Sequence, residues 1–191
     1  MESRNDLFRA IPIFDSGLTD EEIRGFAVKH KEGQGLVNYL CGFAESDEEN
    51  SIMRTYIVRD NYSNAFVGYF SLKAGMISTN EIKVGDKEYF DTIPGVELAN
   101  FAINKTYVLN NPEMRGIGIV VFEEIIKPLI ERVSEIIGVK YIYIFALPMV
   151  DLINRYGDYG FKRLNKKNEE EIHRRLKPIY DADCIFMFQE L

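Results

Sequence analysis

The sequence predicts a mixed α/β fold in which helices cover the faces of one sheet. Short runs rich in aromatic and β-branched residues, typical of strands, alternate with segments whose apolar residues recur at helical spacing. In chain order the predicted elements are β, α, α, β, β, β, α, β, α, β, β, which describes a mixed sheet flanked by helices. The chain has 191 residues, enough for one full core, so we predict a single domain over 1–191.

The amino-terminal half begins with a predicted strand, Leu7 to Phe14, followed by a helix that Thr19 caps. Glu22 stands three places after Thr19, which is the capping-box spacing. The other predicted elements of this half are a helix over Leu36–Ala44, a solvated acidic turn over 45–50, a hairpin of Ile52–Arg59 and Ala65–Lys73, and a small extra hairpin over Glu81–Phe90. The extra hairpin could shape the entrance to a substrate site or form a subunit contact, so a homodimer is one of the possible states.

The centre of the chain combines a strand, a polar loop and a long helix. The strand is predicted over Val96–Asn104, and the loop ends in Arg115-Gly116-Ile117-Gly118. A core-facing stripe at helical spacing follows, formed by Val121, Phe122, Ile125, Ile126, Leu129, Ile130, Val133 and Ile136 or Ile137. Pro128 lies inside this helix and is expected to kink or split it, because proline cannot donate a helical hydrogen bond.

The carboxy-terminal part supplies the remaining strands of the sheet. Lys140–Leu147 is almost continuously apolar, as expected for a strand buried on both faces. After it we predict a short helix over Asp151–Tyr156, a strand over Gly160–Leu164, a charged helix around Glu169–Leu176 and a last strand over Asp183–Gln189.

The composition limits the classes of partner. A net charge of -7 and a pI near 5.0 argue against a general binder of nucleic acid or anionic membranes, although a local basic face is compatible with that total. The bulk charge favours a cationic or neutral substrate. The first residues lack the apolar run of a signal peptide, and no apolar segment reaches the ~18 residues of a membrane span. We expect a cytoplasmic protein that does not bind membranes.

The cysteines and histidines give no sign of a metal site. Cys41 and Cys184 lie far apart in apolar settings, which predicts buried thiols rather than a disulfide. Neither His30 nor His173 has metal-ligand spacing around it, and His173, in a charged helix, is expected at the solvated surface. We therefore expect no metal cofactor.

The loop that ends at Gly118 has the character of an anion-binding cradle. Glycines let a backbone approach a phosphate, and a following helix directs its free N–H groups and positive dipole end toward the anion. A Walker loop is excluded because no Gly-Lys-Ser/Thr stands at the helix start, and a dinucleotide fingerprint because Val121 replaces its third glycine. For the loop alone, an ordinary strand-turn-helix junction stays open.

Two motifs resemble those of the GNAT superfamily of acyl-CoA N-acyltransferases. The run Glu113-Met-Arg115-Gly116-Ile-Gly118 is similar to that family's pyrophosphate loop, Gln/Arg-x-x-Gly-x-Gly/Ala, except that Glu113 takes the first position. One strand and one helix later, the run from Tyr156 to Phe161 resembles the second signature, Phe-Tyr-x-x-x-Gly-Phe, with Arg155 in place of the first aromatic. The element order agrees over nearly the whole chain. The resemblance implies a mostly antiparallel sheet whose central strands splay apart.

The resemblance implies that acetyl-CoA is a co-substrate and also implies which residues bind it. The central strand of the family presents backbone groups to the pantetheine arm, and the matching residues here are Phe101, Ala102 and Ile103. Amides of the cradle meet the diphosphate, and the matching residues are Met114, Arg115, Gly116, Ile117, Gly118 and Ile119.

The resemblance also implies an acid and a base for acyl transfer. Tyr156 takes the place of the general acid, and a phenol with a pKa of about 10 is suited to protonating a leaving thiolate. Glu97 is the candidate general base; strand alternation puts it on the face of Phe101 and Ile103. Burial on that face would raise the pKa of the Glu97 carboxyl. A Tyr156 that only packs against the sheet and a structural Glu97 paired with a cation stay open.

The acceptor amine has more than one candidate. The layout of the amino-terminal half is similar to the toxin branch of GNATs, which acetylates the amino group of aminoacyl-tRNA. The acidic composition opposes a tRNA acceptor, since tRNA binding depends on lysine and arginine, and the toxin branch tends to be apolar where Glu97 stands. We therefore favour a small amine or a protein amino group. A protein that binds acyl-CoA without turnover, or uses the fold only as a scaffold, is the remaining alternative.

Overall fold

The computed structural model describes residues 3–85, 87–176 and 183–191, in which strands and helices alternate along the chain. The strands are β1 (Ser3–Arg4), β2 (Phe8–Pro12), β3 (Arg54–Asp60), β4 (Phe66–Val84), β5 (Lys87–Ile103), β6 (Tyr141–Ala146), β7 (Lys162–Arg163) and β8 (Ile185–Glu190). The helices are α1 (Asp20–Gly25), α2 (Gln34–Gly42), α3 (Ala44–Glu49), α4 (Lys105–Asn110), α5 (Gly118–Val121), α6 (Lys127–Ser134), α7 (Val150–Asp158) and α8 (Lys166–Leu176). A π-helical stretch, Phe122–Ile126, joins α5 to α6.

The chain divides into two compact units, and each is built from separate stretches of sequence. The first comprises Met1–Lys73 and Leu98–Ile130, and the second comprises Ala74–Glu97 and Glu131–Leu191. Both units therefore contain part of β4 and part of β5. The prediction of a single domain over 1–191 stays a prediction.

The first unit contains an antiparallel array of strands covered by helices. β2 pairs with β1 and with β3, and β3 pairs with β4 with an irregularity between Val58 and Arg59. Its core brings helix α2 against the strands through Ile13, Phe26, Leu40, Ala44, Ile57, Phe66, Tyr69 and Ala102. The amino-terminal strand and the first predicted hairpin are confirmed.

The second unit contains the parallel pair of strands that makes the sheet mixed. β5 and β6 run parallel over three residue pairs, from Gly95↔Tyr141 to Glu97↔Tyr143. β8 pairs antiparallel with β6 along all six residues of β6, and with β7 on its other side. The predicted mixed, mostly antiparallel sheet with flanking helices is confirmed. The predicted extra hairpin is formed by the long strands β4 and β5 themselves, and its Asp86 lies outside the described residues.

The long central helix follows its predicted stripe for most of its length. Fully buried side chains recur along it at Val121, Phe122, Ile125, Ile126, Leu129 and Ile130. The expected effect of Pro128 takes the form of the π-helical stretch directly before it, which accommodates the missing proline N–H. The predicted core position at Ile136 or Ile137 is wrong: α6 ends at Ser134, and both isoleucines are exposed.

Two helices occupy places where the sequence predicted irregular structure. The acidic turn over 45–50 is helix α3, because Ala44 is buried at its start and Glu48 accepts hydrogen bonds from the Thr55 amide and the Arg54 guanidinium. The polar loop after the central strand contains helix α4, because Asn104 caps it by accepting from the Thr106 amide at 3.0 Å. The predicted capping box at the start of α1 is confirmed.

The predictions for the cysteines and for His173 are right only in part. Cys184 is buried as expected, whereas Cys41 is exposed because it lies on the outer face of α2. His173 is half-buried and its ring contacts that of Phe145 at 6.1 Å between centroids, so it is not a solvated surface residue.

Candidate functional site

The predicted cradle is an open loop between β5 and the central helix. Helix α4 follows the strand, a 3-10 turn over Pro112–Met114 leads into the loop, and α5 begins at Gly118. Gly116 has a φ of +85°, a conformation that residues with a side chain rarely adopt. A Cβ built on Gly116 would meet nothing within 4 Å. The glycine therefore serves the backbone turn and leaves its surroundings open.

The backbone amides of the cradle are engaged weakly. The amides of Arg115, Ile117 and Ile119 donate to carbonyls three residues earlier over distances of 3.3–3.4 Å. Ile119 lies in the first turn of α5 and the other two precede it; hydrogen bonds of this length are weak. The Ile117 side chain is buried and anchors the loop, whereas the Arg115 side chain is exposed. Binding of a diphosphate by Met114, Arg115, Gly116, Ile117, Gly118 and Ile119 stays a prediction.

The strand segment predicted to meet the pantetheine arm has two different faces. Ala102 is buried in the core of the first unit, while Phe101 and Ile103 are half-buried on the other face. The Ala102 carbonyl lies so close to Gly68 of β4 that a Cβ there would clash with it. This segment lies beyond Glu97, where the described pairing of β5 with β6 ends. Its role in binding also stays a prediction.

Tyr156 lies near the end of α7 in a cluster of aromatic rings. It is 8% exposed and packs edge-on against Tyr159 and Phe161, with centroid distances of 5.8 and 5.7 Å. Burial raises the pKa of the Tyr156 phenol well above its ordinary value, Tyr159 adds to this rise, and Arg155 opposes it. The phenol is therefore neutral at physiological pH and keeps a proton to donate.

The turn after α7 explains the glycine of the second motif. Gly160 has a φ of +89°, and a Cβ there would lie 2.5 Å from Nε2 of Gln189. That Nε2 donates to the Tyr159 carbonyl at 3.2 Å, and the Phe161 amide donates to the Tyr156 carbonyl at 3.0 Å. The motif thus fixes the aromatic cluster around Tyr156, and any side chain at Gly160 would disturb it.

Glu97 lies at the last residue pair of the parallel strands and contacts a tyrosine. Its partner in the register is Tyr143, whose hydroxyl donates to Oε2 of Glu97 over 3.4 Å. Alternation along β5 is as predicted, and the face that carries Glu97 is half-buried while the opposite face is buried. Burial raises the pKa of the Tyr143 phenol, and the Glu97 charge raises it further. The sequence did not reveal Tyr143, because only the register of β5 on β6 brings it to Glu97.

The two candidate catalytic residues belong to the second unit and the cradle to the first. Among the described residues, no group of three or more His, Cys, Asp or Glu side chains could hold a metal ion. Every helix in the described part of the chain is too short or too polar to span a lipid bilayer.

Comparison with solved structures shows what this fold resembles. No family model matches the chain, and no curated protein matches it. A mutant of KacT with one tyrosine changed to phenylalanine has a TM-score of 0.67 and 16% identity, covering 97% of this chain and 95% of that chain. A tyrosine-to-phenylalanine mutant of the toxin AtaT, bound to the C-terminus of the antitoxin AtaR and acetyl-CoA, has a TM-score of 0.63 and 18% identity, covering 97% and 94%. AtaT complexed with acetyl-methionyl-tRNAfMet has a TM-score of 0.64 and 17% identity, covering 96% and 94%.

These likenesses establish the fold. The chain shares its fold with AtaT and KacT over almost its entire length, and the resemblance is confirmed at the level of the fold.

Proposed function

We propose that this chain transfers an acetyl group from acetyl-CoA to a primary amine, and that the amine is the amino group of an aminoacyl-tRNA. The observation that carries the proposal is the fold, shared over more than nine-tenths of the chain with a toxin whose structures hold acetyl-CoA and acetyl-methionyl-tRNA. This likeness favours aminoacyl-tRNA as the acceptor over the small amine or protein amino group that the composition favoured.

A local basic run offsets the objection from net charge. Between residues 155 and 167, five exposed cations stand against one acidic residue, Asp158; the cations are Arg155, Lys162, Arg163, Lys166 and Lys167. On α8, Glu169 pairs with Arg163 at 2.8 Å and Glu171 with Arg174 at 2.6 Å, while Glu170 is exposed. Arg155, Lys162, Lys166 and Lys167 are the cations of the run other than the paired Arg163. Cations on one short segment supply the phosphate contacts that dominate nucleic-acid affinity, whatever the total charge.

The chemistry we propose assigns one proton transfer to each candidate residue. Acetyl-CoA supplies an activated acyl group. A bond forms between the amine nitrogen and the acetyl carbon while the carbon–sulfur bond breaks. Glu97 accepts the proton that the amine loses, directly or through a water, and Tyr156 donates its proton to the departing sulfur. The loop from Met114 to Ile119 and the strand segment Phe101–Ile103 hold the co-substrate.

The carboxylate at position 97 favours a second class of acceptor, amines of high pKa. Glu97 is a carboxylate, and a base is most useful for an amine whose pKa lies well above neutrality, such as a polyamine or a lysine side chain. The amino group of an aminoacyl ester needs less help. An acyl-CoA-binding protein without turnover, suggested by Glu113 in the cradle and Arg155 in the second motif, is a further outcome of the same assay.

The experiment is a transfer assay with labelled acetyl-CoA. Mixed aminoacyl-tRNA, the same tRNA without amino acids, polyamines and peptides are offered to the purified protein. We expect label on aminoacyl-tRNA and none on deacylated tRNA. Tyr156→Phe should lower kcat by about 100-fold or more, the usual range for a lost general acid, with little change in stability. Tyr159→Phe, a neighbouring buried tyrosine, is the matched control.

The outcomes separate the alternatives. Label on polyamines or peptides but not on tRNA would replace the proposed acceptor and keep the transferase. A rise in melting temperature with acetyl-CoA, expected from binding to the folded state alone, combined with no transfer to any amine, would leave a binding protein. Absence of both the rise and the transfer would contradict the proposal entirely.

A further inference from the structure

Tyr143 of β6 contacts residues of the strands β4, β5 and β8. Its ring is 3% exposed and lies in an apolar cluster with Ile77 of β4, Ile172 of α8 and Phe186 of β8. Tyr141 and Phe145 pack on the edge of this cluster, and His173 contacts Phe145. The phenol oxygen of Tyr143 lies 3.4 Å from Oε2 of Glu97.

Two glycines make room for the Tyr143 ring. A Cβ on Gly75 of β4 would clash with the hydroxyl oxygen and come within 2.8 Å of the ring carbon that carries it. A Cβ on Gly95 of β5 would lie 3.2 Å and 3.3 Å from two other ring carbons. Gly75 therefore leaves the space that the hydroxyl occupies, and a side chain at Gly95 would press on the ring.

The hydroxyl of Tyr143 has one proton, and it donates that proton to Oε2 of Glu97 over 3.4 Å. Burial and the Glu97 charge keep this phenol protonated at all physiological pH values. The proton is then directed toward Oε2 of Glu97.

We propose that Tyr143 is a positioning residue for Glu97: its hydroxyl, placed by Gly75 and Gly95, holds the carboxylate that receives the acceptor's proton. The inference rests on the proposed function, because it assigns Glu97 a part in that reaction. A hydrogen-bond donor on a carboxylate stabilises the charged form over the neutral form. At 3.4 Å the bond is long, and its effect is that of one modest hydrogen bond.

The test compares three variants that break the contact in different ways. Tyr143→Phe removes the hydroxyl, Gly75→Ala displaces it while keeping both partners, and Glu97→Gln removes the carboxylate. For the first two, the acid limb of the kcat/KM profile should move to higher pH, with activity about two- to tenfold lower on that limb and little changed on the alkaline side. Adding Tyr143→Phe to Glu97→Gln should cause no further loss, because the pair acts as a unit.

The control is Tyr141→Phe, which removes a hydroxyl from the same strand, two residues away, and should leave the profile unchanged. Equal losses at all pH values in Tyr143→Phe, or full additivity with Glu97→Gln, would overturn the positioning role. If the wild type acetylates no amine, the proposed function fails, and the inference is decided by carbon-detected NMR titration of Glu97. A rise in its pKa in Tyr143→Phe supports the contact, and an unchanged pKa overturns it.

Discussion

The phenol of Tyr107 on α4 donates a 2.6 Å hydrogen bond to Oδ2 of Asp60 at the end of β3, and both side chains are buried. Oδ1 of the same carboxylate accepts from the amides of Tyr62 and Ser63, each at 2.8 Å. One carboxylate thus closes the turn between β3 and β4 and also fastens α4, the helix that leads into the cradle loop. This contact joins the strand core of the first unit to its candidate binding loop.

Tyr107→Phe should destabilise the protein by about 1.5–3 kcal/mol near neutral pH, the usual range for a hydrogen bond to a charged group. Burial alone would raise the pKa of Asp60, but the donors from Ser63, Tyr107 and Tyr62 hold it below its usual range. A carboxyl with a lowered pKa contributes stability that is present above its unfolded value of about 3.9 and is lost as the pH falls through the folded value. The difference between variant and wild type should therefore shrink below about pH 4.

Urea unfolding at neutral and acid pH measures this difference. Tyr62→Phe is the control, because Tyr62 is 83% exposed and its side chain should contribute almost nothing. A loss of stability in Tyr107→Phe that is the same at every pH would show that the hydroxyl does not act through the ionised Asp60 carboxylate.

An ion pair with a buried cation and a half-buried carboxylate should contribute more to stability than an exposed pair. The Arg59 guanidinium is 3% exposed and binds both carboxylate oxygens of Glu22 at 2.7 and 3.0 Å, as well as the Ser16 and Asn64 carbonyls. Glu22→Gln leaves that buried cation without its counter-charge and should cost about 3–5 kcal/mol. Arg24→Met breaks an exposed pair and should cost under about 1 kcal/mol. Equal costs in chemical denaturation would contradict this.

The fold could be predicted where local sequence carries the information. The spacing of Thr19 and Glu22 alone indicates where α1 begins. The helical period of the apolar stripe from Val121 to Ile130 indicates a helix that faces the core. Helix α3 was missed because its acidic sequence has no apolar stripe. What stabilises it is Glu48, whose partners Arg54 and Thr55 belong to the next strand.

The candidate site divides in the same way. Gly116 and Gly160 were identified by motif, and both adopt the positive φ that only glycine accepts readily. Tyr143 was not identified, because its contact with Glu97 spans 46 positions and depends on a parallel register that no local pattern encodes. Gly75 carries no signal in the sequence either, since its role is to leave space for a ring on another strand.

Gly116→Ala should weaken binding of acetyl-CoA more than it destabilises the fold. The substituent meets open space, so the cost of about 1 kcal/mol arises from the backbone at φ +85°. The free loop relieves this strain by changing its shape, and binding of acetyl-CoA must restore it. Calorimetric titration with acetyl-CoA should show a dissociation constant at least about fivefold higher, equivalent to that cost. Gly42→Ala, on α2 with open space and ordinary φ, is the matched control. Unchanged affinity in Gly116→Ala would remove the loop from the proposed binding site.

Charge reversal on the basic run should weaken binding of tRNA. The triple variant Lys162→Glu, Lys166→Glu and Lys167→Glu changes exposed side chains only, so stability should be almost unaffected. Each lost phosphate contact should make the slope of log affinity against log salt shallower by about 0.7–0.9, because fewer counterions are released. Filter binding of aminoacyl-tRNA over a range of salt concentrations measures both the affinity and the slope.

The matched control reverses three exposed lysines of the first unit, Lys29, Lys31 and Lys73, and so changes the net charge by the same amount. If the local run carries the tRNA contacts, this second triple should retain the wild-type slope and lose affinity only through long-range repulsion, which salt screens. Equal losses of slope in the two triples would show that total charge governs association. If the triple variant of the basic run keeps both the wild-type slope and the wild-type affinity, a small amine, as the acidic composition first suggested, becomes the favoured acceptor.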